Sequence, residues 1–298
     1  MDAQLRIERL VAGGDGLARE GDGRVVFVHG GLPGELVSVE PVAEKKDFAR
    51  ARVVEVLEPA AARREIACPH RRAGCGGCAW MHLDLTAQRS AKVDIVRESL
   101  ARIGRLDGAS IDELVTQGGG VDPVGTRTTV RVAAGADGRP GFRAESSSEV
   151  VAIERCRVAH PRLSDLLGPV RLVPGAELTL RTSVATGETT AWWSAPGPGD
   201  VVQGLDAVVR TGREAWLDER IAGMWLRVSA RSFFQPGPQA AELLVDAVGR
   251  AADAHLGAPA VDAYGGVGLF AATVLASAPH VTLLESSGAA CRDARHNL

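Results

Sequence analysis

The chain has 298 residues, of which 45% are hydrophobic and 24% charged, as in a soluble globular protein with two or three domains. Its formal net charge of −3 at pH 7 argues against nonspecific coating of nucleic acid but allows a local basic groove. No apolar run approaches the roughly 20 residues of a membrane span, and no secretory signal opens the sequence, so we expect a cytoplasmic protein.

The first segment, residues 1–60, predicts a small all-β domain. Turn residues are concentrated in GGDGLAR (13–19) and VHGGLPGE (28–35), and apolar strands are predicted at 23–28 and 49–58. Short strands at this spacing are typical of a five-stranded Greek-key barrel of the OB type, a fold often used to bind oligonucleotides. The fold by itself leaves a purely structural role open.

Three cysteines follow within eleven residues, at Cys68, Cys75 and Cys78. Gly76 and Gly77 separate the last two, and we expect a glycine turn to point both sulfurs at one centre, because glycine accepts backbone angles that other residues resist. Thiolates at this density are soft ligands that favour zinc or an iron–sulfur cluster. Without an export signal, clustered cysteines are better explained as metal ligands than as disulfides.

Two residues are candidates for the fourth ligand. His82 would complete a local zinc site of three cysteines and one histidine. Cys156, at the end of a predicted strand, would instead join a distant β segment to the cysteine loop. Spacing leaves both open. The fifth cysteine, Cys291, is expected to be structural, since nothing near it indicates a base or a depressed pKa.

Basic and amphipathic segments flank the cysteine loop. Its basic residues form either a phosphate-binding patch or a solvated loop, and charge alone does not decide. These are Arg63, Arg64, Arg71 and Arg72. Behind the loop, residues 86–104 predict an amphipathic helix. The apolar positions at helical spacing are Val93, Val96, Leu100 and Ile103.

The middle of the chain predicts an antiparallel meander, in which Trp192 and Trp193 are expected to be core residues. Its segments are 126–134, 141–146, 149–156, 176–195 and, closing it, 226–238. The periodicity then changes to a helix at 240–255, with Leu243, Leu244, Ala247 and Val248 on its apolar side. An apolar strand, a glycine turn, a second helix and the strand VTLLE (281–285) follow, which is the opening of a doubly wound α/β domain.

The glycine turn, DAYGGVGLF (262–270), is the second candidate site. Gly265, Gly266 and Gly268 would let the backbone approach a nucleotide-like ligand, and Glu285 would accept both ribose hydroxyls. The loop lacks the spacing of a dinucleotide fingerprint. It fits better the D-x-[FY]-x-G-x-G loop of S-adenosylmethionine enzymes, where no pyrophosphate needs a cradle.

Taken together, these residues resemble the iron–sulfur-containing 5-methyluridine RNA methyltransferases. The barrel with GGDGLAR and LPGE looks like a TRAM domain, which that family uses to hold RNA. The C-x6-C-G-G-C loop plus Cys156 matches the four ligands of its four-iron four-sulfur cluster, here Cys68, Cys75, Cys78 and Cys156. SFFQ (232–235) matches a segment whose glutamine, here Gln235, contacts S-adenosylmethionine.

The resemblance extends to the glycine loop and implies a function. Asp262, Gly265, Gly268 and the ribose-binding Glu285 match the cofactor site, and Tyr264 would lie against the cofactor. It implies methylation of carbon 5 of a uridine in rRNA or tRNA by a monomer that binds no DNA. The base would be flipped into the site, and the cluster would be structural. Leu269 departs from the family, which often has asparagine there.

The family's catalytic residues are expected beyond the sequence given. There, a cysteine in an S-C-N-P segment attacks carbon 6 of uracil and a downstream acid removes the proton from carbon 5. Both follow the second strand of the methyltransferase domain, and the sequence stops at Leu298. We therefore expect a carboxy-truncated member with no catalytic residue of its own and with exposed apolar strand faces. An RNA-binding protein without catalysis is the alternative.

These expectations define a multidomain α+β protein. Residues 1–60 are predicted to form the TRAM-like barrel, 61–230 a β-rich central domain carrying the cluster, and 231–298 the first half of a Rossmann-like methyltransferase domain. The resemblance also implies that the helix at 86–104 packs against the carboxy-terminal domain rather than its sequence neighbours.

Overall fold

The computed structural model describes residues 4–194 and 201–298, so Ala195, at the end of a predicted strand, lies outside it. Internal contacts divide the chain into two compact units, Met1–Arg72 with Cys78–Gln117, and Ala73–Gly77 with Gly118–Leu298. The predicted three-domain division stays a prediction. In the described ranges, no helix is long and apolar enough to cross a membrane.

The first unit is built on one sheet, whose strand order is β1-β5-β6-β4-β3-β2. Its strands are β1 (Gln4–Arg6), β2 (Arg9–Leu10), β3 (Gly16–Arg19), β4 (Val25–His29), β5 (Leu36–Glu44) and β6 (Phe48–Glu58), and its helices are α1 (Pro69–Arg72), α2 (Leu85–Arg102) and α3 (Gly108–Leu114). β1 and β2 are consecutive along the chain but lie at opposite edges of the sheet, so residues 4–10 link the two edges. Counted as one bent strand, they leave the five strands predicted for a barrel.

The carboxylate of Glu35 is buried next to this sheet and binds several neighbouring segments. It accepts hydrogen bonds from the backbone N–H of Leu32 (2.9 Å) and Ala60 (3.2 Å). Arg63 adds two parallel bonds, Nε to Oε1 at 2.5 Å and Nη2 to Oε2 at 2.6 Å. Burial pushes the pKa of Glu35 upward, but the hydrogen bonds and the charge of Arg63 outweigh it and hold the pKa below its usual range.

Helix α2 packs through a different face from the one that its sequence indicates. Ala87, Ala91 and Ile95 lie against a cluster formed by Leu10, Leu32 and Leu83 of the same unit. Side chains four residues apart share one face of a helix, and alanines allow a close approach. Of the predicted stripe, Val96 (48%) and Ile103 (74%) are exposed, while Val93 and Leu100 are half-buried. The helix thus packs on residues of its own unit through this alanine face, and the implied packing on the carboxy-terminal domain stays a prediction.

The second unit contains a larger sheet, a hairpin and a parallel strand pair. Its strands are β7 (Thr129–Ala134), β8 (Pro140–Arg143), β9 (Val150–Ala152), β10 (Arg171–Leu172), β11 (Glu177–Thr182), β12 (Thr189–Ser194), β13 (Val202–Gln203), β14 (Arg210–Thr211), β15 (Trp216–Ile221), β16 (Met224–Ser229), β17 (Ala260–Ala263) and β18 (Val281–Leu284). Its helices are α4 (Pro161–Leu167), α5 (Pro238–Ala252), α6 (Leu269–Ala272) and α7 (Gly288–Asn297), with 3-10 turns at Asp253–His255 and Val274–Ser277.

The larger sheet has the order β14-β12-β11-β7-β8-β9, and only β12 and β14 pair in parallel. Alternate residues of its strands, such as Val130, Leu178 and Leu180, point into a core that α4 covers with Leu163 and Leu167. This is the period of two that a half-buried strand requires. The sheet confirms the meander that the sequence predicts.

The prediction that 226–238 closes this meander is wrong. β16 ends at Ser229 and pairs only with β15, as a separate hairpin. The apolar residues of the hairpin pack on α5 and α6 instead, through Leu217, Leu226 and Val228. In α5 the packed residues are Ala241 and Val245, while Leu244 of the predicted stripe is 39% exposed.

Replacing Glu35 with glutamine should lower the free energy of unfolding by about 2–4 kcal/mol at pH 7, because Arg63 loses its carboxylate at a buried site. The matched control is Glu58→Gln in the exposed pair Arg6–Glu58 (2.6 Å), where we expect a change below about 0.5 kcal/mol. The folded-state pKa of Glu35 lies below the unfolded value of about 4.3, so this stabilisation is present above that pH and is lost as the pH falls through the folded pKa. Urea denaturation of wild type and Glu35→Gln at several pH values from 7 to 3 measures this stabilisation. A difference between wild type and Glu35→Gln that does not shrink in acid would contradict this assignment.

Candidate cofactor site and cysteine loop

The predicted cofactor loop and the predicted ribose-binding acid lie side by side. Strands β17 and β18 are parallel, with Ala260 opposite Val281 and Ala263 opposite Leu284. The loop Tyr264–Gly268 follows β17 and Glu285 follows β18, so both stand at the carboxyl edge of the pair, where α/β sheets bind ligands. The backbone N–H of Gly266 donates to Oε2 of Glu285 at 2.9 Å.

Glu285 is held as an oriented carboxylate. Its Oε1 accepts hydrogen bonds from the backbone N–H of Ser286 and Ser287, both at 2.7 Å. The bond from Ser287, with those from Gly266 and Ser286, holds the pKa of Glu285 below its usual range. The side chain is therefore ionised at neutral pH and acts only as an acceptor. Beside it, Cys291 is half-buried with its Sγ 3.3 Å from the carbonyl oxygen of Glu285.

The loop conformation depends on close approach and left-handed backbone. A Cβ added to Gly265 would lie 2.7 Å from Cγ of Leu283. Gly266 and Gly268 have φ of +57° and +88°, which glycine adopts without penalty. Tyr264 also has positive φ, +59°, and its side chain is 93% exposed. Such a conformation is uncommon for an aromatic residue and occurs most often at functional sites.

Asp262 connects the loop to helix α6. Its side chain is buried, and Oδ2 accepts a hydrogen bond from the backbone N–H of Ala271 at 3.1 Å, in the first turn of α6. Burial raises the pKa of Asp262, and the bond from Ala271 opposes that rise. The carboxyl group thus connects the end of β17 to the start of α6.

Asp293 in α7 ties three parts of the second unit together. The side chain is fully buried. Oδ2 accepts bonds from the backbone N–H of Ser229 (2.8 Å) and from Oγ of Ser232 (2.6 Å), and Oδ1 accepts from Oγ of Ser229 (2.6 Å). Arg227 lies alongside, with Nε 3.3 Å from Oδ1. The helix is thereby fixed to β16 and to the segment that follows it.

The same segment, which carries Gln235, is held at both ends. Buried Arg181 of β11 donates from Nη2 to the carbonyl oxygen of Ser232 at 2.6 Å. Thr128 donates its backbone N–H to the carbonyl oxygen of Pro236, also at 2.6 Å. Burial lowers the pKa of Arg181 to about 10, an effect that the charge of Asp293 opposes, so the guanidinium stays charged. Gln235 is half-buried between these anchors.

Gly76 of the cysteine loop lies close to the backbone of β8, within the second unit. The N–H of Gly76 donates to the carbonyl oxygen of Arg143 at 3.0 Å, and an added Cβ would lie 3.0 Å from that oxygen. Positive φ occurs at Gly74 (+97°), not at Gly76 or Gly77. The expected glycine turn between Cys75 and Cys78 therefore rests on close approach rather than on unusual backbone angles.

The four predicted ligands are distributed over both units, Cys68 and Cys78 in the first and Cys75 and Cys156 in the second. Within residues 4–194 and 201–298, no three side chains of Cys, His, Asp or Glu form a group that could hold a metal ion. The four-cysteine site thus stays a prediction from the family resemblance.

His82, the alternative zinc ligand, is buried and uncharged. Burial, reinforced by the positive charges of Arg63 and Arg71, lowers its pKa to about 4. In the described part of the chain its Nε2 has no hydrogen-bond partner. A neutral imidazole with an unpaired nitrogen is the form that binds zinc, so this residue fits the alternative chemically.

Relatives with similar sequences are RNA methyltransferases, although no family model matches the chain. An uncharacterized RNA methyltransferase of Streptomyces avermitilis is 34% identical over 99% of this chain and 75% of the relative. Another, from Streptomyces coelicolor, is 35% identical over 99% of this chain and 70% of its own length. The 23S rRNA (uracil(1939)-C(5))-methyltransferase of Halomonas elongata is 42% identical over 56% of this chain and 34% of its own.

A solved structure has the same fold. It is the Pyrococcus abyssi tRNA (uracil-54, C5)-methyltransferase in complex with S-adenosyl-L-homocysteine, with a TM-score of 0.64 at 22% identity over 98% of this chain and 75% of that one. The identity and coverage of the Streptomyces relatives show that this chain belongs to the RNA methyltransferase family.

Proposed function

We propose that the protein methylates carbon 5 of a uridine in rRNA or tRNA with S-adenosylmethionine as methyl donor. The observation that carries this proposal is the contact between the glycine loop and Glu285 at the carboxyl edge of β17 and β18. The printed names of the Halomonas relative and the Pyrococcus structure both specify uracil carbon 5, and the latter contains S-adenosyl-L-homocysteine.

The residues of the site fit that cofactor. Glu285, ionised and partly exposed, has acceptor capacity left for ribose hydroxyls. Gly265, Gly266 and Gly268 let the backbone pass close to the cofactor, and Tyr264 offers an exposed ring beside them. Asp262 fixes the loop against α6 and the anchored segment positions Gln235. S-adenosylmethionine supplies an electrophilic methyl group when bound.

Glu285→Gln should weaken S-adenosylmethionine binding about tenfold or more, because charge-assisted hydrogen bonds to the ribose are lost. Isothermal titration calorimetry on the full chain measures this effect. The control is Glu214→Gln in the same unit, an exposed partner of Arg292 at 3.4 Å, which should bind as wild type does. Unchanged affinity in Glu285→Gln, with unchanged thermal stability, would remove this residue from the site.

Methyl transfer is tested on the protein expressed from its complete reading frame, with labelled S-adenosylmethionine and a structured RNA. The matched substrate is the same RNA with every uridine replaced by 5-methyluridine, in which carbon 5 is blocked. We expect label in the first RNA and none in the second. Equal labelling of both would contradict uracil carbon 5 as the target. Cofactor and RNA binding without any transfer would favour an RNA-binding protein instead.

We also propose that Cys68, Cys75, Cys78 and Cys156 hold a structural four-iron four-sulfur cluster. The support is chemical, because four thiols suit such a cluster and its four ligands leave no open iron. The resemblance to the iron–sulfur methyltransferases supports the same set. Zinc bound by Cys68, Cys75, Cys78 and the neutral His82 is the alternative.

Anaerobically purified protein should absorb near ~400 nm and contain iron and sulfide in equal amounts. Cys156→Ser should lose most of the iron and Cys78→Ala should lose iron and solubility together, while Cys291→Ser, the matched control, should keep both. Colourless, zinc-loaded protein whose metal is lost in His82→Ala and kept in Cys156→Ser would establish the zinc site and contradict the cluster.

A further inference from the structure

We infer that a cleft in the second unit, lined by Trp192, Trp193, Gly212, Arg213 and Arg231, binds a single-stranded nucleotide of the RNA substrate. This stacking cleft is separate from the cofactor loop and has a volume of about 480 Å³. The inference rests on the proposed function for the class of substrate. It adds a site for a nucleotide other than the uridine that is methylated.

The cleft exists because β14 pairs with only part of one edge of β12. β12 pairs with β11 from Thr189 to Ser194, but with β14 only at Thr190 and Ala191. Gly212 then turns the chain with φ of +107°. Beyond that point no strand of the described residues pairs with this edge of β12, at the two tryptophans that the sequence placed in the core.

Both indole rings are half-buried and present a partly exposed apolar surface. Trp193 also packs against the central core, which holds it in place. The guanidinium carbon of Arg231 lies 5.3 Å from the ring centroid of Trp192. Partly fixed tryptophans next to arginines are the combination with which proteins stack unpaired bases, because any base offers a π-face and arginine adds a cation.

Within the part of the chain that the structure describes, the positive charge of this cleft has no acidic partner. Among the described residues, neither Arg213 nor Arg231 has a carboxylate within 4.0 Å, and both are exposed. Nearby arginines of the same unit are paired, Arg210 with Glu188 and Arg227 with Asp293. Two unpaired guanidinium groups beside aromatic rings attract a phosphodiester by charge and by directed N–H donors.

Other candidate surfaces are less suitable for RNA. The arginines around the cysteine loop are already engaged, since Arg63 binds Glu35 and Arg72 binds Glu65. A second cavity, of about 410 Å³ in the first unit, is lined by Glu8, Asp94 and Glu98. Its single arginine, Arg9, is paired with Glu98, so the remaining charge repels phosphate. The stacking cleft therefore has the better charge for an RNA strand.

The test is binding of a fluorescein-labelled, mixed-sequence 12-nucleotide RNA to the full chain, followed by anisotropy at several salt concentrations. Trp192→Ala should weaken binding about tenfold and leave the salt dependence unchanged. Trp192→Phe should keep most of the affinity. Arg213→Ala should weaken binding and reduce the slope of log affinity against log salt by about 0.7, the value of one phosphate contact on a single strand.

The matched control is a second tryptophan–arginine pair, Trp225 and Arg220 on the hairpin β15–β16, at 5.9 Å. Trp225→Ala and Arg220→Ala should bind RNA as wild type does. The inference is overturned if Trp192→Ala and Arg213→Ala bind normally, or if the controls lose as much affinity. A third outcome would also overturn the inference. If polyglutamate binding depends on Trp192 and Arg213 and RNA binding does not, the cleft belongs to an acidic protein partner.

Failure of this inference is distinguishable from failure of the proposed function. If wild type and Trp192→Ala bind RNA equally well, the cleft alone is refuted. Wild-type protein that binds no RNA refutes the RNA substrate and the cleft with it. Unchanged S-adenosylmethionine affinity and thermal midpoint in Arg213→Ala show that the loss is local, since this side chain makes no described ion pair.

Discussion

The buried carboxylate of Asp293 is the interaction on which the second unit depends. It accepts hydrogen bonds from β16 and from Ser232, which begins the segment with Gln235, and Arg181 holds the same serine from the larger sheet. A buried charge is tolerated only when it is paired and hydrogen-bonded. Because these bonds use both carboxylate oxygens, helix α7, the hairpin and the segment are held in one arrangement.

That arrangement also positions the proposed cofactor site. Helix α7 begins shortly after Glu285, and Ser287 caps it. The Ser287 side chain accepts a hydrogen bond from the backbone N–H of Ala290 in the first turn, and the Ser287 backbone N–H donates to Glu285. A helix anchored by Asp293 therefore fixes the backbone donors that orient the acid. The glycine loop is in turn fixed by Asp262 and by its bond to Glu285. The site thus sits on rigid elements, as precise ligand positioning requires.

The first unit uses the same principle. Glu35 is a buried acid whose two oxygens are occupied by a forked arginine and two backbone donors. It joins the turn LPGE to the chain that leaves the sheet, near Ala60. In both units a carboxylate thus links segments that are distant in sequence. The arginines that the sequence offered as a phosphate patch are partly used in this structural role, whereas Arg213 and Arg231 line a cleft with aromatic rings and form no ion pair with any described residue.

Sequence patterns alone determined most of the local elements, including the glycine loop and the acid that follows the next strand, while the role of that loop in cofactor binding stays a prediction. Alternation identified the strands, glycine spacing identified the loop, and the parallel pairing of β17 with β18 brought the loop and Glu285 together because consecutive strands of a βαβ unit place their carboxyl ends at one edge. Which face of a helix packs was decided by tertiary structure: α2 packs through Ala87, Ala91 and Ile95, because the leucines of the cluster on that side come from separate parts of the chain. The roles of Asp293 and Arg181 were likewise invisible in one dimension, because a charged residue in a helix or strand looks the same whether it faces solvent or a buried partner more than fifty residues away. Pairing along the edge of β12 is also a three-dimensional fact, and it turned two tryptophans with a core-like pattern into the walls of a cleft.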